Sequence, residues 1–247
     1  MKKIIFENPP HHALKLVSSS NVFEPNTTTR LLINSVLSII NSKKKILDLG
    51  CGTGAVAISL FKERVSSNKI YASDLSQDAT ECCLQNAKNY NCDSDIRTGS
   101  MFEPWLDEKF DVIVDDISAI SEDIANISPW FPGVPCSTGK DGTDLITKII
   151  TESKKHLESD KSLFFFPVLS LSNVDQIVRD AKNNFKYVEL IKRESWPLPE
   201  DLVPHIELLE GLLDENAIKF ERKFGMVICY TEVYCASDAE FIYTREV

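Results

Sequence analysis

Apolar and polar positions along this chain switch repeatedly between strand-like and helix-like spacing. Residues 45–49 read as a short strand running into a glycine-rich turn, and residues 55–64 as a helix with Val56, Leu60 and Phe61 on one side. A second strand is predicted over 69–74. Ser76 is a suitable N-cap for a helix running to about Tyr90, with Asp78 and Glu81 near its positive end. Strands follow near 95–98 and over 110–114, and an amphipathic helix over 143–157. Residues 162–166, Ser-Leu-Phe-Phe-Phe, form a nearly unbroken apolar run, as expected of a central parallel strand covered on both faces. A helix over 174–185, a strand over 187–192 and a β-rich segment over 226–234 complete the series.

This alternation predicts an α/β fold: a Rossmann-like, seven-stranded, mostly parallel sheet with helices on both faces. The whole chain, 1–247, reads as a single domain with two additions. One is an N-terminal cap segment, 1–42, holding a helix over 28–40. The other is an excursion over 196–225, where Leu202, Val203, Ile206, Leu209 and Leu213 recur at helical spacing. It leaves the carboxyl end of a strand, the side on which open α/β sheets hold ligands, so it is placed to act as a helical lid. A helix packed on the sheet edge is the other reading.

The turn after the first of these strands is Leu47-Asp48-Leu49-Gly50-Cys51-Gly52-Thr53-Gly54, and Asp74 ends the next strand. Closely spaced glycines let the backbone turn sharply and let a ligand approach the main chain. A carboxylate at the end of the second strand suits the two hydroxyls of a ribose. A dinucleotide site wants G-x-G-x-x-G, whereas this loop is G-x-G-x-G with Asp48 beside it. A carboxylate there disfavours a pyrophosphate and suits an amino group. The phrase closely resembles motif I of class I S-adenosylmethionine (SAM)-dependent methyltransferases, which implies SAM as cofactor and S-adenosylhomocysteine (SAH) as product.

Three further stretches narrow the resemblance: Val-Phe-Glu-Pro-Asn-Thr-Thr-Thr-Arg at 22–30, Met-Phe-Glu-Pro-Trp at 101–105 and Thr-Gly-Lys-Asp-Gly-Thr-Asp at 138–144. All three resemble the release-factor glutamine methyltransferases and the wider small-domain methyltransferases, over roughly residues 20–195. The resemblance implies a cofactor site built from Asp48, Gly50, Cys51, Gly52, Gly54, Asp74, Leu75, Ser100, Met101 and Asp115. In that family the fourth strand ends in Asn-Pro-Pro-Tyr, which grips a planar amide. Here the stretch is Asp115-Asp116-Ile117-Ser118-Ala119, so Asp116 takes the Asn place and both prolines and the Tyr are replaced.

The expected activity is therefore methyl transfer to a small-molecule acceptor, nitrogen favoured over oxygen. The alternatives are a protein glutamine amide, ribosomal RNA, or SAM binding without transfer. Asp116 is the candidate catalytic residue, accepting a hydrogen bond from the acceptor and serving as base; holding the cofactor's amine or capping a loop are its bland roles. Phe23, Asp116, Ser118, Trp196 and His205 are the expected substrate contacts, the aromatic ones able to stack on a planar group or cover a cation.

Composition bounds these readings. Lys and Arg number 27 and Asp and Glu 37, a formal charge of −10. This gives no general attraction for phosphate backbones, so nucleic acid is disfavoured as partner, and Lys43, Lys44 and Lys45 read as a solvated turn. The seven cysteines include no C-x-x-C pair, so no metal ligand set is expected and reduced thiols in a cytoplasmic protein are the simplest account. The longest apolar stretch, over 163–171, is too short to cross a bilayer.

Overall fold

The protein is described from a computed structural model over residues 1–117, 119–131 and 136–242. Two strands open the chain, β1 (Lys2–Phe6) and β2 (Leu14–Ser18), paired as an antiparallel hairpin. Helix α1 (Thr27–Ile39) follows, then β3 (Ile46–Leu49), α2 (Ala55–Lys62), β4 (Lys69–Asp74), α3 (Gln77–Asn89) and β5 (Asp93–Thr98). The second half contributes β6 (Val112–Asp115), α4 (Glu122–Ile127), α5 (Asp144–Ser153), β7 (Leu163–Leu169), α6 (Val174–Asn184), β8 (Tyr187–Pro197), α7 (Ile206–Asp214), β9 (Glu221–Lys223) and β10 (Met226–Ser237).

The main sheet has the strand order β5-β4-β3-β6-β7-β10-β8, with β9 paired on the overhanging start of β10. Strands β5 to β7 are mutually parallel, and β10 runs antiparallel between β7 and β8. The seven strands on this path are those the periodicity predicts. Strand β7 is buried along nearly its whole length, which explains its unbroken apolar sequence. Its successive side chains serve opposite cores. Phe165 joins Leu32 and Val36 of α1, Ile58 of α2 and Val114 of β6. Phe164 and Phe166 join Ile113 of β6, Ile149 and Ile150 of α5 and Ile177 of α6.

The topology creates the site. The chain winds outward from β3 through β4 to β5, then returns to place β6 on the other side of β3. That reversal is a topological switch point, where open α/β sheets leave a crevice at the strands' carboxyl ends. Leu49 pairs with Asp115 across it, and the Asp116 N–H donates to the Leu49 carbonyl at 3.0 Å. The glycine loop and the Asp116 segment, 66 positions apart in sequence, thus leave the sheet side by side.

The excursion differs in part from expectation. Strand β8 continues to Pro197, so Trp196 is a strand residue paired with Cys229. Beyond it, Leu202, Leu209 and Leu212 are buried against Ile120, Ile124 and Ala125 around α4 in a third apolar cluster. The helical spacing therefore reports burial of one face. Hairpin β1–β2, helix α4 and the short β9 are not legible in the periodicity; each is brief and is held by tertiary contacts. No helix among the described residues is long and apolar enough to cross a membrane.

Candidate active site

The glycine loop is folded by its own backbone. Gly50, Gly52 and Gly54 all have positive φ, at 79°, 50° and 82°. A side chain at Gly50 would meet Ile117 at 2.5 Å, so glycine is what lets the loop lie against the Asp116 segment. Gly54 is the N-cap of α2, and a Cβ there would lie 2.7 Å from the Cys83 sulfur on α3. Asp74, at the end of β4, pins the loop from the other side. Its Oδ2 accepts from the Gly52 N–H and its Oδ1 from the Ser76 N–H, each at 2.9 Å. Burial pushes the Asp74 carboxyl above its usual range, against the pull of these backbone donors.

Two cavities meet behind this loop. The first, about 350 Å³, is lined by Gly50, Cys51, Gly52, Asp74, Leu75, Ser100 and Met101 among others. The second, about 300 Å³, is walled by Phe23, Trp130, Phe131 and Trp196 with Pro167 and Leu169. Phe23, Asp116 and Ile117 line both. Phe23 stacks on Phe131 with ring centroids 5.4 Å apart, and Trp130 meets Trp196 edge-on at 6.2 Å. Trp196 is oriented by its indole N–H, which donates to the Thr231 hydroxyl at 3.0 Å. Among the described residues no Lys, Arg or His lines either cavity.

Asp116 is positioned by a helix cap. Asn26 caps α1, its side chain accepting from the Thr28 and Thr29 N–H groups, while the Asn26 N–H donates back to the Thr29 hydroxyl. The Thr29 O–H in turn donates to Asp116 Oδ2 at 2.9 Å. Desolvation pushes the Asp116 carboxyl up to about 7, with the Thr29 hydrogen bond opposing it.

Residues 138–144 brace the segment that follows. The Thr138 hydroxyl donates to the Ile120 carbonyl at 2.5 Å, and the Glu122 N–H to the Gly139 carbonyl at 2.9 Å. Gly142 lies where a Cβ would sit 2.7 Å from the Ile120 backbone. This stretch therefore shapes the acceptor side of the site from behind.

Four of the expected contacts lie outside the described lining of both cavities. Asp48 is buried behind the loop and outside the cavity lining; its Oδ2 accepts from the Ala57 N–H in the first turn of α2 at 3.0 Å. It caps the first turn of α2, and burial pushes it up to about 8, with Asp116 and Asp74 adding repulsion. Asp115 is fully buried at the end of β6, accepts from the Ile117 N–H at 3.1 Å and shapes the turn; desolvation pushes it far upward. Gly54 serves helix packing, as above. His205 is exposed at the end of a 3-10 turn and lines neither cavity. Ser118 lies outside the described residues. Sequence reasoning missed Thr29, Trp130 and Phe131. Only the Asn-Thr-Thr-Thr cap pattern could have flagged the first, and no periodicity marks the other two.

The first cavity fits an adenosyl sulfonium. It offers a carboxylate at the end of β4, close backbone approach at Gly50 and Gly52, and acidic groups with no countering base among the described residues. Residues 13–116 match the family model described as the methyltransferase small domain. The chain is 36% identical over 127 residues to a release factor glutamine methyltransferase of Agrobacterium fabrum, covering 48% of this chain and 43% of that one. It is 33% identical to the Aquifex aeolicus protein of the same name, covering 56% and 52%. The chain thus spans about half the length of these relatives. A 16S rRNA methyltransferase of T. thermophilus, solved in complex with AdoMet and guanosine, superposes with a TM-score of 0.61 at 11% identity, covering 96% of this chain and 50% of that one. Residues 13–116 of this chain are thus similar to the methyltransferase small domain, and the chain shares the overall fold of the solved T. thermophilus enzyme.

Proposed function

We propose that this protein is a SAM-dependent methyltransferase acting on a side-chain nitrogen of a protein. The observation that carries this reading is the position of Asp116 on the wall common to two cavities, one fitted to the cofactor and one opening among aromatic rings. The small-molecule acceptor expected from the sequence is withdrawn, because the relatives are named for methylation of release factor glutamine, a protein side chain.

In this reading Asp74 holds the ribose, and Gly50, Cys51, Gly52, Leu75, Ser100 and Met101 close around the rest of the cofactor. When bound, SAM would supply an electrophilic methyl carbon on a sulfonium, open to attack by a nitrogen lone pair with the thioether sulfur of SAH as leaving group. Asp116 accepts the N–H of the acceptor and aims its nitrogen at the cofactor cavity, with Thr29 fixing the carboxylate's rotamer. Phe23 and Ile117, shared by both cavities, exclude water from the junction.

The test is incubation with methyl-labelled SAM and a cell extract. Label is expected in a fraction destroyed by protease and resistant to nuclease, and Asp74→Ala is expected to reduce it at least tenfold at limiting SAM. Label confined to RNA or to dialysable metabolites, or no label from protein that binds SAH, would overturn the proposal.

A further inference from the structure

We infer that the acceptor is a cationic nitrogen, an ammonium or guanidinium side chain held between the Asp116 carboxylate and the aromatic walls of the second cavity. This rests on the methyltransferase reading above and specifies its substrate class.

Among the described residues the cavity holds one acidic side chain, Asp116, and four aromatic ones, Phe23, Trp130, Phe131 and Trp196. Among the described residues it contains no basic group to neutralise that carboxylate. Aromatic faces attract a cation through their quadrupole, and more strongly where water is displaced. A carboxylate adds a charge-assisted hydrogen bond. Both elements favour a positive guest.

The same walls treat a neutral amide poorly. An amide brings two N–H donors and a carbonyl acceptor that must be paired when buried. An Asn side chain offers both a donor and an acceptor in reply, whereas a carboxylate offers acceptors alone. Two of the other polar groups at the cavity are already engaged. Asn26 Oδ1 is taken by the cap of α1, and the Thr28 hydroxyl lies 3.5 Å from that of Thr231. Asp116 can pair with the N–H donors of an amide but leaves its carbonyl to other groups of the lining.

Asp116 also receives the proton that a cationic nitrogen must lose. One N–H bond breaks and one O–H bond forms on the carboxylate. The pair becomes a neutral nitrogen with a free lone pair and a neutral carboxylic acid, so charge and protons balance. Thr29 can remain hydrogen-bonded to Oδ2 while the other oxygen takes the proton.

The test uses the SAH complex and three probes of similar size: n-butylammonium, n-propylguanidinium and butyramide. Calorimetry and the emission of Trp130 and Trp196 report binding. At least one cation is expected to bind more than tenfold tighter than butyramide, and the tighter of the two identifies a lysine-like or an arginine-like acceptor. Asp116→Asn should reverse the preference, and Trp196→Leu should weaken the cation about 2- to 30-fold. Both variants are first shown to bind SAH as the parent does, which separates a lost contact from a lost fold. Butyramide binding as tightly as the cations, or no cation binding to an SAH-loaded protein, would overturn the inference and leave the methyltransferase reading standing. Failure to bind SAH at all would overturn both.

Discussion

Asp48→Asn tests whether the aspartate beside the glycine loop is structural. Asp48 is buried, has one oxygen on the Ala57 N–H and leaves Oδ1 without a partner. Asn can keep the first contact and does not titrate. In the unfolded chain Asp48 ionises near 3.9, as an ordinary aspartate does. In the folded protein burial holds it protonated up to about 8. Between these values the folded state carries the extra proton. The stability contributed by the neutral form is therefore complete below about pH 4 and is lost as pH rises toward 8. The slope is about 1.4 kcal/mol per pH unit, so Asp48→Asn should gain about 3 kcal/mol on the parent between pH 5 and pH 7. Asp115 and Asp116 titrate in both proteins, so the difference between them reports Asp48 together with its repulsion of these neighbours. Urea unfolding of cofactor-free protein at pH 5, 6, 7 and 8 measures it. SAH affinity at pH 6 should be unchanged, since Asp48 lies outside the cavity. A stability difference that stays flat with pH would refute the argument, showing that Asp48 is ionised in the fold. A large loss of SAH affinity would return it to the ligand.

Three other outcomes are expected. Asp74→Ala removes the acceptor of the Gly52 and Ser76 N–H groups together with the ribose contact, and should weaken SAH by about 1.5–3 kcal/mol in calorimetry. Gly54→Ala forces a side chain into positive φ and against Cys83 at 2.7 Å, and should cost about 1–3 kcal/mol in urea unfolding; adding Cys83→Ala should recover only the overlap. The affinity for SAM relative to SAH should increase from pH 6 to pH 8. Asp116 and Asp48, pushed up to about 7 and 8, ionise over that range and attract the sulfonium charge that SAH lacks. Equal pH dependence for the two ligands would contradict this.

The order of strands and helices in the main sheet was readable because burial writes itself into short-range spacing. Phe164, Phe165 and Phe166 announce a strand covered on both faces, and the glycine run with Asp74 beyond it announces the cofactor loop. The same signals do not give the direction in which Asp48 and Asp115 point. A carboxylate beside a glycine loop has the same sequence neighbours whether it faces the ligand or caps the helix behind it. Its direction is set by which way the strand's side chains alternate, and here both oxygens turn inward.

What the linear sequence determined by itself was the order of the sheet's strands and the glycine loop, since each rests on residues within a few positions of one another. The acceptor side was decided by the tertiary structure alone. Thr29 reaches Asp116 across 87 positions, and Trp196 is oriented by Thr231 across 35. Phe23 and Phe131 meet only because α1 and the segment after α4 converge over the switch point between β3 and β6. Side chains that assemble a pocket from distant loops share no period, so their meeting depends on strand order, which follows from how the whole sheet is wound.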